Sequence, residues 1–178
     1  MEQRSERARS SPLIDASLLA GTFLGAAGSA ALVLADRLAA GGVLAAAAGV
    51  ASVLSGLRTR RSGEPRLVFA DHAVERVMEA LLFGAIAWAA IPEAPWTAAA
   101  SLAALVASYL ASYLPAKATG LGFRVTERLP WRSVRLSLVA VGLLISDLLP
   151  VTLWVAAAVS LEPVVRHGLA VARQREVG

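Results

Sequence analysis

The sequence predicts an all-α fold: a polytopic membrane protein with a bundle of six transmembrane helices and both termini in the cytoplasm. Three observations predict it. Hydrophobic residues make up 57% of the 178 residues, and the mean hydropathy is +0.63, which is too apolar for an ordinary soluble domain. Six low-charge runs of about 16–24 residues approach the length that crosses a bilayer core. Lysine and arginine are distributed unevenly among the connections between these runs.

The six runs have different strengths. The first follows a short basic segment but is long and has five more behind it, so it is predicted to be a retained helix and not a signal peptide. The third and fifth are short and need help from neighbouring residues to cross. Tight connections join the first to the second, the third to the fourth and the fifth to the sixth, and prolines mark the last two of these as breaks. The predicted spans are 12–35, 38–57, 77–93, 95–114, 133–149 and 151–171.

Positive charge provides an independent test of this division. All of the 17 lysines and arginines except Arg37 fall in the termini or in the second and fourth connections. Positive residues stay on the cytoplasmic side of short loops, so this pattern predicts cytoplasmic termini in the cell (plasma) membrane. The net charge of +4 is then explained by topology and by attraction to anionic membrane lipids, and no nucleic-acid partner is expected. The absence of cysteine excludes disulfides and thiolate metal sites.

One domain, 1–178, is predicted, because no linker separates two parts and no repeat is visible. Gly21 and Gly25 are spaced so that helix backbones can approach closely. This pair is interpreted as packing within the bundle, and a homodimer through the same face is the alternative.

Three acidic residues between the second and third runs are the main candidates for chemistry. Asp71, Glu75 and Glu79 fall one helical turn apart and project from one stripe, where like charges repel. A hard divalent cation would reverse that cost, since Mg²⁺ prefers carboxylate oxygens, and nearby arginines suit phosphate. The alternative is structural: acids stabilise a helix N-terminus, and arginines at a cytoplasmic boundary need no ligand.

Sequence motifs here resemble the CDP-alcohol phosphatidyltransferase family. The family signature runs DxxDGxxAR, a short spacer and GxxxDxxxD, and it joins the second of six spans to the third. In this chain "DHAVE" places Asp71 and Glu75 at the last two acids. "SVLSGLRTR" places Ser52 and Ser55 at the first two acids and retains Gly56. Glu79 has no place in the signature and falls outside the predicted chemistry.

The alignment of the first half of the signature has two forms. With the spacer shortened, Arg60 takes the place of the signature arginine. Without a gap, Arg58 takes that place, and Val50, Val53 and Leu54 fall at the DxxDG positions. Both forms lose the first two aspartates. Further along, "SYLPAKATGLG" and "RSVRLSLVAVGLL" resemble the stretch after the family's fourth span and its entry to the fifth, so the resemblance covers nearly the whole chain.

The resemblance implies a reaction in phospholipid biosynthesis. A phosphatidyl group passes from a CDP-linked lipid to a small alcohol acceptor, and CMP leaves. Four acids in the family hold Mg²⁺ or Mn²⁺ on the diphosphate, and the last acid deprotonates the acceptor. By this resemblance Asp71 is a metal ligand and Glu75 a metal ligand or the catalytic base. Ser52, Ser55 and Gly56 would line the nucleotide site, Arg58 or Arg60 would contact the nucleotide phosphate, and Lys117, Arg132 and Arg135 would face the acceptor or a lipid phosphate.

Loss of the two aspartates keeps a second function open. Serine is neutral and a weak ligand for Mg²⁺, so two negative charges are missing from the predicted metal site. Glu75 is one methylene longer than the aspartate it replaces, which shifts a base by about an ångström and can cost on the order of a hundredfold. The alternative is therefore a catalytically inactive relative that binds lipid or serves as a partner subunit. Elsewhere, Glu162 is predicted to pair with Arg166 one turn on.

Overall fold

The structure, a computed structural model, describes residues 12–124 and 131–174 of the chain. Over these residues the regular structure is helical, which agrees with the predicted class. A short 3₁₀ turn, Ser146–Leu148, lies between the fifth and sixth helices. The helices are α1 Pro12–Leu34, α2 Leu38–Ser62, α3 Pro65–Ala90, α4 Pro95–Gly120, α5 Trp131–Leu144 and α6 Leu149–Arg173.

Proline and glycine set several helix ends. Pro65 and Pro95 are the first residues of α3 and α4, where a missing backbone N–H costs nothing and the fixed φ suits a helix. Gly63 closes α2 in the left-handed conformation, with φ 65° and its N–H bonded to the carbonyl of Thr59. The connection between α2 and α3 is thus a tight turn, and it brings the end of α2 close to the start of α3.

Several helix ends differ from the limits of the predicted runs: α2 continues to Ser62 instead of ending at 57, and α4 continues to Gly120 instead of ending at 114. The third run was predicted to begin at 77, but α3 begins at Pro65, so the acidic residues lie inside a continuous helix. The fifth run was predicted to extend to 149, but α5 ends at Leu144 and α6 begins at Leu149; the predicted break is present, and Pro150 lies in the first turn of the helix that follows it. Hydropathy detects the apolar length of a helix, whereas helix ends depend on caps and turns.

The helices pack in two connected groups. α1 lies against α2 and α3, α4 lies against α6 and α3, and α5 lies between α2 and α6. Helix α3 supplies four of the largest fully buried side chains, Met78, Leu82, Phe83 and Ile86. At the crossing of α2 and α5 a Cβ on Gly42 would lie 2.9 Å from the backbone nitrogen of Leu144, so only glycine permits this approach.

Four helical segments are long and apolar enough to cross a membrane: α1, α2, α4 and the stretch from Ser146 to Arg173. The first half of α3 carries several charges. Helix α5 has 14 residues and is about 21 Å long, which is shorter than a bilayer core of about 30 Å. These findings support a membrane protein with at least four spanning segments. Six spans and cytoplasmic termini remain predictions, and residues 1–11 and 175–178 lie outside the described part.

Candidate lipid-nucleotide site between α2 and α3

Buried polar residues of α2 and α3 lie close to the connection between the two helices. On α2, Ser52 and Ser55 are three residues apart, and on α3, Asp71 and Glu75 are four apart, so each pair shares one side of its helix. All four side chains are buried. The Ser55 hydroxyl donates a hydrogen bond of 2.6 Å to Oδ1 of Asp71. The structure therefore brings together the four positions that the resemblance assigns to the family's acids.

This contact distinguishes the two alignments. In the ungapped form Val50 and Leu54 would stand at signature positions, but both are exposed and turned from α3. They line an apolar cavity of about 400 Å³ between α2 and α5. The side chain that contacts Asp71 is that of Ser55, and Ser52 is buried on the same helix, so the geometry favours the gapped alignment. The physical reason is the helical period, which directs residues 52 and 55 to one face and residues 50 and 54 to another.

A buried ion cluster adjoins this face, formed by Glu75, Arg76, Glu79, Ser108 and Arg135. Oε1 of Glu75 lies 2.7 Å from Nη2 of Arg76 and 3.7 Å from Nη2 of Arg135. Oε1 of Glu79 accepts from Nε and Nη2 of Arg135 at 3.2 and 2.9 Å. Oε2 of Glu79 lies 2.7 Å from Nη1 of Arg76 and accepts a 2.8 Å hydrogen bond from the Ser108 hydroxyl. The cluster joins α3, α4 and α5.

Glu79 is the residue that sequence reasoning missed. It was excluded from the predicted chemistry, yet it is fully buried and is the acceptor at the centre of the cluster. Its position on the stripe of Asp71 and Glu75 was the available signal. Arg76 was also overlooked; its guanidinium donates to the Ser108 carbonyl at 3.0 Å and lies 5.5 Å from the centre of the Tyr109 ring.

The predicted phosphate-binding residues are dispersed. Nε of Arg58 lies 2.8 Å from Oδ1 of Asp15, so this guanidinium pairs with α1. Arg60 and Lys117 are exposed. Arg135 was predicted to face an acceptor or lipid phosphate, but its guanidinium belongs to the ion cluster.

Gly56 and Arg132 are the two other residues that were predicted to belong to the site. Gly56 is partly buried, next to Ser55 on α2. The side chain of Arg132 lies outside the described residues.

The residues that are present do not suit a divalent cation of the predicted kind. Within the described ranges, no group of three or more His, Asp or Glu side chains is placed to hold a metal ion. At the two α2 positions the donors are neutral hydroxyls, which are weak ligands for Mg²⁺. On α3, Glu75 is engaged by two guanidinium groups. The predicted ligand pair of Asp71 and Glu75 is thus adjacent but lacks the charge of the family's four acids.

Comparison with known proteins yields similarity at the level of structure. No protein-family model and no curated protein matches the chain. The structure of Mycobacterium tuberculosis phosphatidylinositol phosphate synthase with CDP-DAG bound has a TM-score of 0.74 and 26% identity, over 91% of this chain and 90% of that one. The chain has the fold of a CDP-alcohol phosphatidyltransferase. Fold similarity alone supports this family, because no family model matches.

Two further structures of the same synthase agree in fold. The complex with manganese and citrate has a TM-score of 0.76 and 24% identity, over 90% of this chain and 82% of that one. The apo form has a TM-score of 0.75 and 24% identity, over 90% and 89% of the two chains. The phosphatidyltransferase fold therefore extends over nearly the whole of this chain.

Proposed function

We propose that this protein works at the membrane in phospholipid biosynthesis, where it binds a CDP-linked lipid beside the buried face of α2 and α3. Support comes from the synthase with CDP-DAG bound, which matches nine-tenths of both chains at 26% identity. Further support comes from Ser52, Ser55, Asp71 and Glu75, which occupy facing positions on the two helices that carry the family signature. Four long apolar helical segments support the membrane setting.

The protein binds this lipid without transferring the phosphatidyl group, as an inactive relative or a partner subunit. The observation that carries this proposal is the hydrogen bond from Ser55 to Asp71, because a neutral hydroxyl stands where the signature has a metal-binding carboxylate. The second carboxylate, Glu75, is held by Arg76 and Arg135. A carboxylate that is already engaged by two guanidinium groups must leave them before it can approach the hydroxyl of an alcohol.

Active phosphatidyl transfer is the second candidate. Asp71 and Glu75 persist on one face of α3, one turn apart and buried, at the place of the signature's last two acids. In this form the protein would move a phosphatidyl group to a small alcohol and release CMP, with Glu75 as the base and Mg²⁺ or Mn²⁺ as the expected cofactor by resemblance. A bundle of six spans in the plasma membrane, with basic loops in the cytoplasm, belongs to both candidates, as does the open alternative of a homodimer.

One experiment separates the two candidates. The full chain is reconstituted in lipid with CDP-diacylglycerol, Mn²⁺ or Mg²⁺ and a panel of alcohols, with the M. tuberculosis synthase as the active control. We expect saturable CDP-diacylglycerol binding and no CMP release with any alcohol.

Release of CMP that disappears in Glu75→Ala would establish the transferase instead. The matched control is Glu162→Ala, which removes an exposed glutamate paired with Arg166 at 3.1 Å and should leave any activity intact. A protein that binds no CDP-diacylglycerol under any condition contradicts both candidates.

A further inference from the structure

The electrostatic balance of the ion cluster differs from that of a carboxylate site built for a metal. Two carboxylates, Glu75 and Glu79, meet two guanidinium groups, Arg76 and Arg135, and all but Arg76 are at least nine-tenths buried. Buried charges are stable only when they are paired and hydrogen-bonded. In this chain the pairing comes from side chains on α3 and α5, so the negative charge is already largely compensated by the protein itself.

A divalent cation would have to compete with these guanidinium groups. To bind Glu75 it must displace Arg76, 2.7 Å away, or share the carboxylate with it and with Arg135. On α2 it would gain only the hydroxyls of Ser52 and Ser55. Removing bound water from Mg²⁺ costs free energy, and carboxylate ligands offset that cost. Two neutral hydroxyls offset little of it.

We infer that this site takes its phosphate-bearing ligand without a divalent cation, because Arg76 and Arg135 occupy the electrostatic role that the cation would have. This inference rests on the proposed binding of a CDP-linked lipid. It adds an explanation of how the site accommodates the negative charge of the lipid's diphosphate. The two serines contribute by removing the carboxylates that would repel a diphosphate in the absence of a metal. Arginine suits this role because its planar donors remain charged and match both carboxylate and phosphate.

The test uses two probes on the purified full chain, Mn²⁺ alone and CDP. Calorimetry with Mn²⁺ alone avoids the complex that CDP itself forms with the metal. We expect no saturable Mn²⁺ binding at micromolar concentrations. CDP titrated in EDTA and again in excess Mn²⁺ should bind with affinities that differ by less than about threefold, well under the tenfold that corresponds to 1.4 kcal/mol.

A variant that restores the two carboxylates tests the same inference in the opposite direction. Ser52→Asp/Ser55→Asp should acquire Mn²⁺ binding, and its CDP binding in EDTA should weaken by about tenfold or more, because carboxylates then face the diphosphate without compensation. Ser62→Asp is the matched control: it adds a carboxylate to the same end of α2 at an exposed position and should behave as the unmodified chain does.

The outcomes are separable even if the double variant fails to fold, since the unmodified chain is informative alone. Saturable Mn²⁺ binding by the unmodified chain, or CDP binding that needs Mn²⁺, overturns the inference and leaves the proposed function standing. No CDP or CDP-diacylglycerol binding in either condition overturns the proposed function, and the inference with it.

Discussion

Removal of Glu79 should destabilise the protein more than removal of any exposed acid. Glu79→Ala leaves Arg76 and Arg135 without the carboxylate that both contact at 2.9 Å or less, and leaves the Ser108 hydroxyl with only the Leu105 carbonyl as acceptor. Breaking a buried ion pair from one side costs about 3–5 kcal/mol, because the remaining charge stays buried and uncompensated. Glu75 remains near both arginines and can take up part of this charge, so we expect a loss near the lower end, about 3 kcal/mol.

The assay is equilibrium unfolding in mixed micelles with increasing SDS, followed by the fluorescence of the protein's four tryptophans. Glu79→Gln keeps one acceptor oxygen but replaces the other with an NH2 group and loses the charge, so its loss should be smaller, about 1.5–3 kcal/mol. The matched control is Glu162→Ala, which breaks an exposed pair with Arg166 whose carboxylate side chain is 45% accessible. Such a pair contributes about 0.3–0.5 kcal/mol. Equal losses for Glu79→Ala and Glu162→Ala would refute the view that the cluster holds α3, α4 and α5 together.

Two further predictions concern packing and topology. Gly42→Ala should cost about 1–3 kcal/mol, because the new Cβ would lie 2.9 Å from the backbone of Leu144 and force α2 and α5 apart. With no native cysteine in the chain, Ser62→Cys and Glu93→Cys place single thiols in the second and third connections. In sealed cells an impermeant maleimide should label position 93 and spare position 62, since only the former connection is predicted to lie outside.

Each of these predictions has a contrary outcome. Gly84→Ala is the control for the packing variant, because a Cβ there meets nothing within 4 Å, and this change should be neutral or stabilising by up to about 1 kcal/mol. Equal effects at Gly42 and Gly84 would contradict the close approach. For topology, labelling of both thiols in intact cells, or of position 62 alone, would contradict the predicted orientation.

Most of the fold could be predicted from the sequence, but helix ends could not. The apolar runs correspond to α1, α2, α4 and α6, because crossing a bilayer requires a stretch of low charge that is visible without knowledge of packing. The start of α3 at Pro65 could not be predicted from hydropathy, because the first half of this helix carries several charged residues. The pairing of Glu162 with Arg166, which depends only on helical spacing, was confirmed.

The candidate site, like the fold, could be predicted from the sequence only in part. The motif spacing identified Asp71 and Glu75 and placed serines where two acids are expected, since these facts depend only on position in the chain. It could not decide between the two alignments, because both keep an arginine at the right place. The structure favours the serines, as Ser55 contacts Asp71 across the interface of α2 and α3.

What the sequence by itself determined is the class of protein, its membrane character and the degenerate signature, because each follows from local composition or spacing. Only the tertiary structure decided that Glu75 and Glu79 are paired with Arg135, which lies 56 residues from Glu79 along the chain. Charge compensation in a buried site depends on which side chains from distant helices meet there. The helical stripe on α3 could draw attention to Glu79, but no pattern within one helix can indicate that Arg135 and Ser108 from two other helices contact it.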